Sequence, residues 1–239
     1  MKTQNFEYRL GDLTFRGYLA YDEARPGKRP GILVVHEAWG VGEHVRERAE
    51  RLAGLGYVAL AADMFGEGRQ ASSTQEGLGW TAALRNDVPT LRARIRAAFD
   101  ALSSLPQVDP NRIASIGYCF GGTASLELAR SGAPVVGVVG FHSNLSTQQP
   151  AEAGKVSAKI LACIGTEDPF IPPAQVQTFV EEMTRARADF QLILYGGAMH
   201  SFTNPKAAER GLNGLAYHKP TDERSWSAMQ TFFHELFQA

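Results

Sequence analysis

The stretch Ile113-Ala114-Ser115-Ile116-Gly117-Tyr118-Cys119-Phe120-Gly121-Gly122 decides how this chain is read. A short β-like run ends on a glycine, a cysteine stands two positions later, and two glycines follow before a helix-like run over 122–131. A strand that turns straight into a helix around one reactive side chain holds that residue at positive φ, and side chains at −2 and +2 from it collide unless they are very small. Both places are Gly. With 24 Gly in 239 residues, glycine at −2, +2 and +3 of a given cysteine arises by chance about once in a thousand. Cys119 is therefore expected as a nucleophile on a strand–turn–helix elbow, with sulfur where serine oxygen is usual. The alternative is a small buried hydrophobe, the reading that suits Cys163 in the apolar run 160–164.

Outward from the elbow, apolar periodicity alternates between short strands and longer helices. Strands are expected over 6–10, 14–20, 31–36, 57–61, 113–118, 135–141, 159–164 and 190–195, and helices over 45–55, 88–105, 122–131, 173–185 and 222–237. Several strands lack polar alternation, as strands covered on both faces do. The order implies an α/β fold with a mostly parallel sheet, helices on both faces, and an antiparallel hairpin at the edge turning through Gly11-Asp12. No linker or repeat divides residues 1–239, so one domain is expected. Segment 65–86, rich in Gly, Ser and Gln, is expected as an irregular lid or pocket wall.

In such a sheet the functional groups gather past the carboxyl ends of the strands. A thiol nucleophile needs a base, and the base needs a group that fixes its tautomer. Asp168 follows strand 159–164 and His200 follows strand 190–195, so nucleophile, acid and histidine come in the order Cys, Asp, His. Glu37 ends strand 31–36, where a carboxylate can lie beside the elbow, and the backbone N–H groups of Ala38 and Phe120 are placed to hold an oxyanion. His36-Glu37-Ala38-Trp39-Gly40 lacks the second histidine of a helical zinc motif, and the two cysteines have no metal-ligand spacing, so neither metal nor cofactor is expected.

Composition narrows the partners. Lys plus Arg number 24 against 25 Asp plus Glu, leaving no basic field for nucleic acid or anionic membrane. The longest apolar stretch, 133–141, is too short to cross a bilayer, and the first ten residues alternate like a strand and not like a signal peptide. A cytoplasmic protein acting on a small molecule is expected, as monomer or homodimer.

The segments His-Glu-Ala-Trp-Gly-Val (36–41), Gly-Tyr-Cys-Phe-Gly-Gly (117–122), Gly-Thr-Glu-Asp-Pro-Phe-Ile-Pro (165–172) and Ala-Met-His-Ser-Phe (198–202) resemble the dienelactone hydrolase family, the cysteine branch of the α/β hydrolases, and the resemblance runs from Gly31 to Phe237. It implies an α/β-hydrolase fold and hydrolysis of esters or lactones through a thioester. Cys119 would attack the carbonyl, His200 would exchange the proton, Asp168 would orient His200, and Glu37 would meet the resting thiol and help generate the thiolate. Family members also clamp a substrate carboxylate with arginines, one a few residues past the histidine; here Asn204 stands there, and Arg69 and Arg85 are the nearby candidates for the other. Without an obvious clamp, neutral activated esters are expected, in a pocket walled by Trp39, Phe65, Trp80, Phe120, His142 and Phe202. A polarisable thiolate facing two N–H donors also suits promiscuous attack on activated phosphotriesters. The competing reading is a redox-sensing thiol on a hydrolase scaffold.

Overall fold

The computed structural model describes residues 1–238. Strands Lys2–Leu10 (β1) and Leu13–Tyr21 (β2) pair antiparallel around Gly11, whose φ of +57° suits the two-residue turn. Next come Arg29–Val35 (β3), the helix Glu43–Gly54 (α1) and Val58–Ala62 (β4). Two helices, Thr74–Asn86 (α2) and Val88–Ser103 (α3), lead to Val108–Tyr118 (β5), which feeds Phe120–Arg130 (α4). The chain closes with Gly137–Phe141 (β6), Lys159–Gly165 (β7), Pro173–Ala186 (α5), Phe190–Tyr195 (β8) and Lys219–Gln238 (α6).

These strands form one sheet in the order β1-β2-β4-β3-β5-β6-β7-β8. From β4 to β8 every pairing is parallel, while β2 meets β4 antiparallel, so the hairpin sits on one edge as its turn residues imply. Alternation along the central strands builds two cores. Leu33 and Val35 face α3, α4 and α5 on one side, whereas Ile32 and Val34 face α1 and α6 on the other. Both faces being covered explains why β4, β6 and the apolar parts of β3 and β7 read as unbroken hydrophobic runs. Cys163 lies in the second core, wholly buried, and burial pushes its thiol up to about 12.

One expectation needs correction. Segment 65–86 is irregular only in its first half, because α2 begins at Thr74. Ser73 caps it, its Oγ accepting the Glu76 N–H at 3.2 Å, and the Glu76 carboxylate reaches back to Ser72 N at 2.7 Å. That is a Ser-x-x-Glu start signal, readable in the sequence but masked there by the surrounding Gly and Gln. Among the described residues, no helix is long and apolar enough to cross a membrane.

Candidate active site

The elbow forms at the end of β5. Cys119 has φ +55° and ψ −116°, a strained backbone held in place by its glycine neighbours. A Cβ on Gly117 would overlap the backbone of Gly121, one on Gly121 would overlap the Val35 carbonyl, and one on Gly122 would overlap Ser143. The tight seating of the first turn of α4 against β5, β3 and the residues just past β6 therefore requires all three. Cys119 also N-caps α4, so the helix starts at Phe120 and points its N-terminal amides toward the sulfur.

His200 stands beside this sulfur. Its Nδ1 donates to Asp168 Oδ2 at 2.7 Å, and Asp168 Oδ1 accepts the Phe170 N–H at 2.9 Å, so the carboxylate is itself oriented. Asp168 does not cap α5, whose N-cap is Pro172. The His200 backbone is pinned by the strand-like segment that follows, its N–H donating to Gly214 O at 3.1 Å and its carbonyl accepting from Ala216 N at 3.0 Å. Burial lowers the basicity of His200, but the Cys119 sulfur and the Asp168 carboxylate on opposite sides of the ring outweigh it and raise its pKa to about 10.

A cavity of about 110 Å³ opens over Cys119 and His200. Glu37, Ala38, Trp39 and Phe120 line it, as the sequence leads one to expect. Neither the Ala38 nor the Phe120 amide N–H has an acceptor among the described residues. Four expected wall residues lie elsewhere. Phe65 is core, packed against His36, Trp80 and Phe120. Trp80 points away because α2 turns Leu78, Thr81 and Arg85, spaced i, i+3 and i+7, into the cavity, and Trp80 stacks under Arg69 instead. His142 and Phe202 are fully buried beneath the His200 ring, His142 at 5.1 Å between ring centroids and Phe202 packed on His142 at 4.9 Å. Thr123, Asn144, Phe170, Ser201, Leu212 and Leu215 complete the wall; Leu212 and Leu215 come from a loop with no pattern that marks it as a wall.

A family model described as "Dienelactone hydrolase family" matches residues 15–237. The chain belongs to this family. A Synechocystis protein provisionally named carboxymethylenebutenolidase is 31% identical over 80% of this chain and 82% of its own length. Two solved structures superpose with TM-scores of 0.95: "m3DLH", 45% identical and covering 99% of this chain and 98% of its own, and a dienelactone hydrolase-like promiscuous phosphotriesterase, P91, from metagenomic libraries, 39% identical and covering 98% of each. The protein is thus a dienelactone hydrolase-like hydrolase acting on esters, on an α/β-hydrolase fold.

Within this family frame, Glu37 is the residue whose setting departs most from expectation. Its carboxylate is buried, but it accepts from Ser201 Oγ at 2.9 Å and from Asn204 Nδ2 at 2.6 Å, with no hydrogen bond to the Cys119 thiol. Asn204, standing where an arginine was expected, leaves Glu37 with neutral donors. Arg69 is engaged with the Gly66 and Phe65 carbonyls and the Trp80 ring and does not line the cavity. Arg85 does line it, half-buried, with no hydrogen bond or ion pair among the described residues.

Proposed function

We propose that this protein is a cofactor-free cysteine hydrolase of activated esters and lactones that works through a thioester on Cys119. The observation that carries the reading is the Cys119–His200–Asp168 constellation on a strained elbow at the floor of an apolar cavity. In the first half of the reaction the sulfur attacks the carbonyl carbon, the oxyanion is received by the Ala38 and Phe120 amides, and the C–O bond breaks with the His200 proton passing to the leaving oxygen. In the second half water adds to the thioester, gives its proton to His200, and the C–S bond breaks. Asp168 holds the tautomer throughout.

The apolar walls of Trp39, Leu78, Phe120 and Phe170 suit neutral aryl esters. Arg85 revises the substrate argument made from the sequence, because a free guanidinium in the wall gives an anionic acyl group one partner. The similarity to P91 supports phosphotriester turnover as a side activity of the same thiolate. The redox reading has no resolving partner, since the other cysteine, Cys163, is sealed in the core. Small molecules as partners, a cytoplasmic location and a monomer or homodimer belong to the same proposal.

The test is kcat/KM for an aryl acetate and an aryl dialkyl phosphate in wild type, Cys119→Ala and Cys163→Ala. Loss of both activities in Cys119→Ala with Cys163→Ala near wild type is expected. Phosphotriester turnover that survives Cys119→Ala refutes attack by sulfur.

A further inference from the structure

Glu37 and Trp39 line two cavities, not one. On the far side of Glu37 from Cys119 lies a second cavity of about 60 Å³, between the N-terminus of α1 and the turn that follows the catalytic histidine. Its wall carries more charged groups than the first: Glu37, Glu43, His44, Lys206 and Arg210 line it together with Asn204, Trp39, Gly40, Gly42 and Val45. Glu43, Lys206 and Arg210 are exposed, with Lys206 paired to Glu43 and Arg210 stacked on Trp39 at 4.6 Å, so the rim reaches bulk solvent.

The inner end of this cavity is organised for a polar guest. Arg48, fixed by two 2.9 Å bonds to Asp222, donates through Nε to His44 Nε2 at 3.4 Å. A guanidinium only donates, so this contact leaves the His44 proton on Nδ1. That Nδ1 is buried, has no hydrogen-bond partner, and faces Glu37 Oε2 at 3.5 Å. Each Glu37 oxygen accepts one hydrogen bond and retains capacity for another. An N–H donor and a carboxylate acceptor, both short of partners, are the groups that hold a water molecule, and 60 Å³ has room for more than one.

We propose that this second cavity delivers the water that hydrolyses the thioester, with the Glu37 carboxylate and His44 Nδ1–H as its last holding point. The proposal rests on the acyl-enzyme reading. An acyl group on Cys119 displaces water from the cavity above it, whereas the route behind Glu37 stays open. The delivered water gives one proton to His200 as its oxygen bonds to the thioester carbon. Collapse of the resulting oxyanion breaks the C–S bond and releases the acid, and the proton on His200 pairs with the restored thiolate.

Gly42 makes the route testable, because its backbone is extended (φ −91°, ψ −171°) and an added Cβ meets only the Gly40 carbonyl at 4.0 Å. Gly42→Leu therefore fills the cavity without strain, and His44→Phe removes the Nδ1 donor from a ring of similar shape. Wild type and both variants are mixed with 4-nitrophenyl acetate, and the acyl adduct on Cys119 is followed by rapid quench and mass spectrometry beside steady-state turnover, with folding checked by circular dichroism. Expected is a several-fold slower turnover with more acyl adduct, restored by hydroxylamine, which attacks the thioester from the substrate side. If Gly42→Leu does not fold, His44→Phe decides on the same signature. Wild-type turnover in the folded variants, or slowing that hydroxylamine does not relieve, overturns the proposal alone. If no chain ever carries an acyl adduct, the thioester reading itself is overturned and the water route with it.

Discussion

Asp168→Asn is the substitution that separates an oriented histidine from a merely adjacent one. Asp168 offers one oxygen to His200 Nδ1 at 2.7 Å and the other to the Phe170 N–H at 2.9 Å, so both of its neighbours are donors. An amide has a single oxygen. If that oxygen keeps Phe170, the NH2 group faces Nδ1 and forces its proton to Nε2, where the ring can no longer accept a proton at the sulfur. If it keeps His200, the NH2 group opposes the part-buried Phe170 N–H, which loses its acceptor at a cost of about 1 kcal/mol. The ring also loses one of the two partners that raise it toward about 10, so its pKa falls. In a serine hydrolase the equivalent change costs about 10⁴-fold in kcat. A thiol ionises more readily than an alcohol and depends less on the base. A loss of about 10²–10³-fold is therefore expected, between that ceiling and a general-base contribution alone. The assay is stopped-flow hydrolysis of an aryl acetate across pH 5–10, beside a denaturant melt showing the variant folded. A folded variant within threefold of wild type refutes the orienting role and directs attention to Glu167.

Other expectations follow from single contacts. In Cys119→Ala the largest charge that raises His200 is gone, so its NMR titration midpoint falls well below about 10; an unchanged midpoint assigns the shift to Asp168 alone. In the wild type a folded histidine raised from 6.5 to about 10 favours folding fully below pH 6.5 and loses that contribution as pH climbs through 10, so the melting temperature declines over this window, and His200→Gln flattens the decline. Arg85→Ala lowers kcat/KM for an ester with an anionic acyl group about tenfold or more, since a hydrogen bond to a charged group contributes about 1.5–3 kcal/mol, while a neutral aryl acetate is little changed. Equal losses on both substrates exclude a charge role. Gly122→Ala drives a methyl into Ser143 Oγ and to 2.6 Å from its Cβ, destabilising by about 1–3 kcal/mol in a urea melt, with Ser143→Gly recovering most of it.

What the sequence discloses of this site depends on how many residues must cooperate to specify a position. The elbow is legible because three glycines at fixed offsets have one steric cause, the close seating of the first turn of α4 against β5, β3 and the residues just past β6. Asp168 and His200 are legible because strand ends in a parallel sheet converge on one rim. Pocket walls are harder. An aromatic near the rim points either inward or into the core according to helix phase or a local φ, and Trp80 and Phe202 fall on the far side for those reasons. The phase of α2 was within reach, since Ser73 and Glu76 set its start and Leu78, Thr81 and Arg85 then share a face. Leu212 and Leu215 were not, because their loop owes its position to the backbone bonds of Gly214 and Ala216 with His200.

The environment of Glu37 shows how one substitution spreads through a buried network. Asn204 can satisfy a carboxylate oxygen without bringing a charge, and its own oxygen then caps the next turn through Lys206 N at 2.9 Å. Ser201, held at φ +56°, turns its hydroxyl to the other oxygen. Glu37 thus faces the donors that follow His200 in the chain, and it faces His44 behind them. Beneath lie Thr203 and His142, joined at 2.8 Å, with the fully buried His142 ring kept neutral by burial and by the His200 charge beside it. A neutral histidine under the imidazolium adds no repulsion when His200 takes a proton. Of the two histidines only His200 is thereby favoured to carry a charge, with Asp168 and the Cys119 sulfur on either side of it. Of the two adjacent histidines, the one beside Cys119 is thus the one whose environment favours a proton, at the edge of a cavity walled chiefly by Trp39, Leu78, Phe120 and Phe170.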